Sequence, residues 1–296
     1  MNGPDLPSDE LAVISGADPA RGRAALKRLS HNALKNLERW TLAVAPPPPV
    51  RMLRPSLPAL AATAVTLYVV IASMFAIDAA ASDWARHEPG WVRDTFEHIT
   101  NFGLSGWFLI PFAAIVLGLA AVASPALSRR SQGVLAALAA RFGFLFLAIG
   151  VPGLFVAIVK RLIGRARPYV GGNGHDNPFL YKPFVWRPDY ASMPSGHSTT
   201  AVSAAIAIGA IWPRTRVVMW LYALVIMVSR VAVLAHHPSD VIAGALTGAA
   251  GAYLVRRWFA ARRLVFCARD LRAYPGPSWR RIKAALGEAI RAVRAS

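Results

Sequence analysis

The sequence predicts an all-α protein: a six-transmembrane-helix bundle with cytoplasmic N- and C-terminal tails. Three observations predict it. The 296-residue chain is 55% hydrophobic and only 16% charged, with mean hydropathy +0.40, where a soluble domain carries about a quarter charged residues. Six apolar segments run along it, against a yardstick of about 20 residues per bilayer crossing. Its 33 Lys and Arg divide unevenly between alternate links.

The first segment, about Ser56–Ile77, holds no charge. The second is about Ile99–Ala123. The third, about Gly133–Val159, is interrupted by Arg141 alone. The fourth is about His197–Trp212. The fifth, about Val217–Ala235, carries Arg230 near its end. The sixth, about Val241–Phe259, has close-packing steps at Gly244, Gly248 and Ala252. The segments are apolar all round, as lipid-embedded helices must be. Acidic residues at Asp5, Asp9, Glu10 and Asp18 argue against a cleavable leader, so the first segment is expected to act as an uncleaved anchor.

Basic residues set the orientation. Eight Lys and Arg precede the first segment, three flank the second link, two lie between segments four and five, and eleven follow from Arg256. Nine lie on the other side. The positive-inside rule then places both tails in the cytoplasm of an inner-membrane protein. The net charge of +18 is this topology signal, so no nucleic acid partner is expected. The single cysteine, Cys267, excludes an intrachain disulfide and a cysteine metal cluster.

Three regions follow. Residues 1–55 form a basic tail with an amphipathic stretch at Arg21–Val44, broken by Pro46–Pro49. Residues 56–260 form the six-span domain. Residues 261–296 form a second basic tail, in which Trp279, Ile282, Leu286, Ile290 and Val293 share one helical face. Such tails suit an anionic inner leaflet, and the alternative is a disordered basic tail.

Ionisable groups inside apolar sequence are costly and call for a function. Lys160 and Arg167 follow segment three; Ser195, Gly196 and His197 open segment four; Arg230 closes segment five; His236 and Asp240 lead into segment six. Spans alternate in direction, so all four places fall on one membrane face, the outer one by charge. Lys160, Arg167 and Arg230 suit a compact anion such as phosphate. Pro194-Ser195-Gly196-His197 supplies a helix N-terminus, a hydroxyl and a backbone open to close approach. His236 and Asp240 stand i, i+4, one turn apart if helical, so the carboxylate can hold one imidazole nitrogen and leave the other as a nucleophile. His197 is the candidate general acid. His237 is given no role.

These residues fall into the pattern Lys160-x6-Arg167-Pro168, Pro194-Ser195-Gly196-His197 and Ser229-Arg230-x5-His236-x3-Asp240. The pattern resembles the three-part signature of the type 2 phosphatidic acid phosphatases, with every position filled. The resemblance implies that His236 attacks phosphorus to form a phosphohistidine and that Asp240 orients it. It implies that His197 protonates the leaving oxygen and then activates water. Lys160, Arg167, Ser195, Gly196 and Arg230 would hold the phosphoryl oxygens, with no metal and no other cofactor.

Six spans favour a lipid phosphate substrate over the soluble substrates of related acid phosphatases and haloperoxidases. Monoester and diphosphate lipids, including phosphatidic acid, phosphatidylglycerol phosphate, undecaprenyl diphosphate and lipid A, remain open. So do phosphotransfer through the same site and a non-catalytic role in binding or transporting anionic lipid. The aromatic loop Tyr169–Tyr190, with its Gly171–Gly174 stretch, is either a lid or an ordinary interfacial loop; Asp83–His98 is expected to lie in the interface.

Overall fold

A computed structural model describes residues 19–42, 44, 57–170 and 177–295. The Pro46–Pro49 and Gly171–Gly174 stretches lie outside the described residues, as does most of the N-terminal tail beyond one helix. The described residues form α-helices α1 (Pro19–Leu42), α2 (Leu57–Ala76), α3 (Asp78–His87), α4 (Gly90–Thr100), α5 (Gly106–Val122), α6 (Arg129–Ile163), α7 (Gly196–Ile211), α8 (Arg216–Ala232), α9 (Pro238–Ala261) and α10 (Trp279–Ala295). Among them there is no β-strand, only two isolated bridges, Arg165 with Tyr181 and Phe266 with Ala273.

Three helical stretches are long and apolar enough to cross a membrane: Gly90–Val122, Arg129–Ile163 and Pro213–Ala232. A fourth arises if α2 and α3, bent by 49°, count as one span. Helix α7 is apolar but has 16 residues, which rise about 24 Å, less than the roughly 30 Å of bilayer hydrocarbon. The outward faces carry exposed Val65, Leu67, Val217 and Val218, 57–71% accessible. Such a girdle is stable only in lipid, and the protein is an integral membrane protein.

The chain falls into two compact units. The larger takes in the described residues of 46–113 and 140–275. Its centre is α7, flanked by α8 and α9. Small residues make this possible. A Cβ on Gly244 would lie 2.4 Å from the Ser195 carbonyl oxygen, and one on Gly248 would lie 2.5 Å from that of Thr199. Only glycine lets α9 approach α7 so closely, and that approach fixes the start of α7 beside the start of α9. Phe144 packs edge-on to Phe259 and Phe266, at 5.4 and 4.7 Å between centroids, and ties α6 to the far end of α9.

The smaller unit takes in the described residues of 1–45, 114–139 and 276–296. Two tail side chains finish helix ends here. Asn36 Nδ2 on α1 donates to the carbonyls of Ala120 and Ala123 at 2.9 and 2.7 Å, at the C-terminus of α5. Glu288 on α10 accepts from Ser128 N–H at 2.6 Å and from the Ser128 and Ser131 hydroxyls at 2.9 and 2.6 Å, at the N-terminus of α6. Both ends carry backbone groups that the helix itself cannot satisfy. Those serine bonds, Ser131's first, hold the Glu288 carboxyl below its ordinary pKa. Helix α10 turns Ala285 and Ala289 inward and leaves Trp279 and Ile290 exposed.

Candidate active site

Lys160 lies in the last turn of α6. The helix stops at Gly164, whose φ of +64° is the left-handed C-terminal conformation that glycine adopts without strain. The reversal sends Arg165 inward, fully buried, and leaves Arg167 half-buried. Arg167 is held at the mouth by its Nε, which donates to Pro188 O at 3.1 Å, and by its backbone N–H on Asp189 O at 2.9 Å.

Ser195 N-caps α7. Its Oγ is buried and accepts from Ser198 N at 3.5 Å and from Ser198 Oγ at 3.0 Å. The hydroxyl is thus turned into the helix cap. Its own N–H donates to Asp240 O at 2.9 Å and ties α7 to α9. No protein atom stands within 4 Å of where a Cβ on Gly196 would be, so space is open beside that backbone. His197 follows, packed on Gly103. Arg230, His236, Arg167 and Lys160 all act on its ring electrostatically. Four distant stretches therefore converge on one spot.

Arg230 is buried near the end of α8. Its Nη1 donates to Thr100 Oγ1 at 2.6 Å, while its Nε, also buried, has no hydrogen-bond partner among the described residues. A buried N–H without a partner costs about 1–3 kcal/mol. That N–H is left as a donor for an acceptor the described residues do not supply.

His236 and Asp240 do come together, but not by helical spacing. Helix α9 begins at Pro238, with His237 as its N-cap, and His236 sits in the preceding turn. That turn passes through Leu234 at φ +56° and is closed by His236 N–H on Arg230 O at 3.1 Å. His236 Nδ1 stands 3.8 Å from Asp240 Oδ2 and 3.5 Å from Ser192 Oγ. At 3.8 Å the carboxylate acts on the ring as a charge, not through a direct hydrogen bond. Burial lowers the His236 pKa to about 4; the Asp240 carboxylate opposes that shift and the Arg230 charge adds to it. The imidazole is therefore neutral near pH 7.

Asp240 is the hub of a cluster that sequence reasoning missed. Its Oδ1 accepts from Arg165 Nη1 at 2.6 Å; its Oδ2 accepts from Ser192 Oγ at 2.6 Å and from His237 N–H at 3.0 Å. His237 Nδ1 lies 3.3 Å from the same oxygen, nearer than His236. Arg165 Nη2 donates to Asp78 Oδ2 at 2.7 Å, and Ser239 bonds Asp78 through its N–H and hydroxyl at 2.9 and 2.5 Å. Arg165 Nη1 also reaches Ser239 Oγ at 2.6 Å, and Nε and Nη2 reach Pro178 O at 3.0 and 2.8 Å. All five N–H donors of the guanidinium are used. Burial disfavours its charge, but Asp240 and Asp78 outweigh that and raise its pKa. One sequence signal was available: Asp78 directly follows the uncharged first segment, where an acid calls for a partner.

The comparisons bear on the same residues. Residues 141–264 match the PAP2 superfamily. Over 205 residues the chain is 36% identical to a lipid A 1-phosphatase of Rhizobium johnstonii, a match covering 68% of this chain and 81% of that protein. The chain belongs to the PAP2 superfamily. A lipid A 1-phosphatase of Rhizobium etli is 35% identical over 187 residues, covering 62% of this chain and 78% of that one. A PAP2 type phosphatidylglycerolphosphate phosphatase of Bacillus subtilis, known as a crystal structure, aligns at TM-score 0.43 and 20% identity, over 77% of this chain and 96% of that one. The PAP2 match runs from Arg141 to Leu264 and contains Lys160, Arg167, Ser195, Gly196, His197, Arg230, His236 and Asp240, whereas Asp78 lies outside it.

Proposed function

We propose that this PAP2 protein removes a phosphate from a lipid phosphate or diphosphate on the outer face of the membrane, through a phosphohistidine and without a metal. The observation that carries the proposal is the unpartnered, buried Nε of Arg230 amid Lys160, Arg167 and His197. Such a place suits a phosphoryl group, whose oxygens gain charge-assisted hydrogen bonds there. The names of the two Rhizobium relatives make the 1-phosphate of lipid A the first substrate to test.

The residues divide the work. Ser192 and Asp240 lie on the Nδ1 side of His236, which keeps the proton there and leaves the Nε2 lone pair to attack phosphorus. As the N–P bond forms, the P–O bond to the lipid breaks, and His197 gives its proton to the leaving oxygen. His197 then takes a proton from water, which attacks phosphorus and releases phosphate from His236. The buried Asp78, Arg165 and Asp240 carry two negative charges against one positive. The excess offsets the positive charge that develops on His236 as it bonds phosphorus. Arg165 and Asp78 are positioning residues, since they act through Asp240.

Six spans with both tails inside complete the proposal. The Asn36 and Glu288 bonds support it, because they gather both tail helices with the link between the second and third apolar segments. The exposed basic helices α1 and α10 suit anionic lipid at that face.

The test is phosphate release by purified protein from a panel of lipid monophosphates and diphosphates in EDTA. The expected result is metal-independent release that His236→Ala abolishes. Folded protein releasing nothing from any lipid would turn the proposal toward phosphotransfer or lipid binding.

A further inference from the structure

Among the described residues two buried side-chain N or O atoms lack a hydrogen-bond partner: Arg230 Nε and Arg256 Nε. The first marks the cradle just described. The second lies at the opposite end of the same three helices. There Arg256 of α9 and Arg216 of α8 line a cavity of about 170 Å³ with Gly209, Ala205, Ala210 and Trp220. Gly209 stands about 20 Å from Gly196 along α7, at 1.5 Å rise per residue.

Arginines at the inner ends of spans ordinarily extend to water. Arg216 is exposed and Arg256 half-buried, and each is tethered to a backbone carbonyl. Arg216 Nε donates to Gly209 O at 3.0 Å, and a Cβ on Gly209 would come within 2.9 Å of Arg216 Cγ. Only glycine there lets the Arg216 stem lie across α7. Its Nη groups have no protein partner among the described residues. Arg256 Nη2 donates to Leu271 O, and its guanidinium lies over the Phe266 ring at 5.1 Å. Neither arginine forms an ion pair with a described acid. Asp270, which acts on Arg256 electrostatically, is itself bonded by Arg272 N–H at 3.0 Å and faces Arg272 Nε at 3.5 Å. Two like charges at one cavity, one of them with a buried N–H left over, make a place that suits an anion.

We propose that this cavity is a second, non-catalytic phosphate site, and that its ligand is the phosphodiester headgroup of an anionic phospholipid. Small apolar side chains and the half-exposed Trp220 ring line the approach, as suits a lipid at headgroup level. The cavity and its charges do not depend on the phosphatase reading; only its assignment to the inner leaflet rests on the orientation proposed above. A lipid there would bridge α7, α8 and α9 at the end away from the chemistry and stabilise their packing.

The experiment is thermal unfolding of the full chain in nanodiscs of phosphatidylcholine alone or with increasing phosphatidylglycerol, and separately with inorganic phosphate. Every protein also carries Arg230→Gln, which removes the catalytic cradle as the source of any shift. Phosphatidylglycerol is expected to raise the unfolding temperature by several degrees. Adding Arg216→Gln and Arg256→Gln should raise the lipid fraction needed for half the shift about tenfold or more, the loss of one or two charge-assisted bonds. Should that variant fail to fold, Arg256→Lys keeps the charge but removes the Nε–H, and should weaken the shift in the same direction. A shift produced by inorganic phosphate alone and lost with the two arginines supports the site with free phosphate as its ligand. A phosphatidylglycerol shift unchanged in either arginine variant, or no shift at all beyond phosphatidylcholine, overturns the proposal.

Discussion

In the proposed mechanism the chemistry turns on His236, and the environment of that residue makes a prediction about pH. Burial holds its pKa near 4, and the neutral ring is the proposed nucleophile. As pH falls, the active form therefore persists through the ordinary histidine range near 6.5 and is lost only as pH approaches 4. The acid limb of kcat/KM, which reports the free enzyme, is expected there; a limb at pH 6–7 would contradict the assignment. His197→Ala should cost roughly 10²–10⁴-fold in kcat, the range for a general acid. Arg165→Lys keeps a charge but cannot replace five hydrogen bonds. It should lower kcat more than it changes KM, and it should lower thermal stability; removing one partner of a buried pair outright costs about 3–5 kcal/mol. Lys160, Arg167, His197 and Arg230 were legible because each interrupts a local apolar pattern. Arg165 was not, because its partners Asp240 and Asp78 lie 75 and 87 residues away and spacing carries no trace of them.

At the scale of elements, the close approach of α7 and α9 places the cradle. Gly244→Ala would push a methyl against Ser195 O, and overpacking of this kind costs typically 1–3 kcal/mol. Both melting temperature and activity should fall. Gly118→Ala, where nothing stands within 4 Å, should leave both unchanged or raise stability slightly; equal effects at the two positions would show that the contact does not matter. The Gly244–Gly248–Ala252 spacing was readable as a small-residue face, though not which helix it met. The reading of His236 and Asp240 as one helical turn failed for a local reason. Pro238 occupies the first turn of α9, where proline is favoured, so the helix starts after His236. The pair meets through a turn and a capping aspartate instead.

For the whole molecule, alternating charge predicts an orientation, and the described parts of both tails lie in one unit with residues 114–139. The association of the tails was not readable, because it rests on single long-range contacts such as Asn36 with Ala123 and Glu288 with Ser131. Orientation has its own check. The native Cys267 should react with a membrane-impermeant maleimide only after permeabilisation, whereas Trp186→Cys in a Cys267→Ala background should react in intact cells; the reverse pattern would place the active site inside. The central claim is the covalent step, and trapping tests it most directly. Purified protein is mixed with lipid A labelled with ³²P at the 1-phosphate, in EDTA, quenched within one turnover, and mapped. The label should sit on His236 as an acid-labile, base-stable phosphoramidate and be absent from His236→Ala, which should also not turn over. Turnover in His236→Ala, or full turnover by the unmodified protein with no label ever on His236, would contradict it.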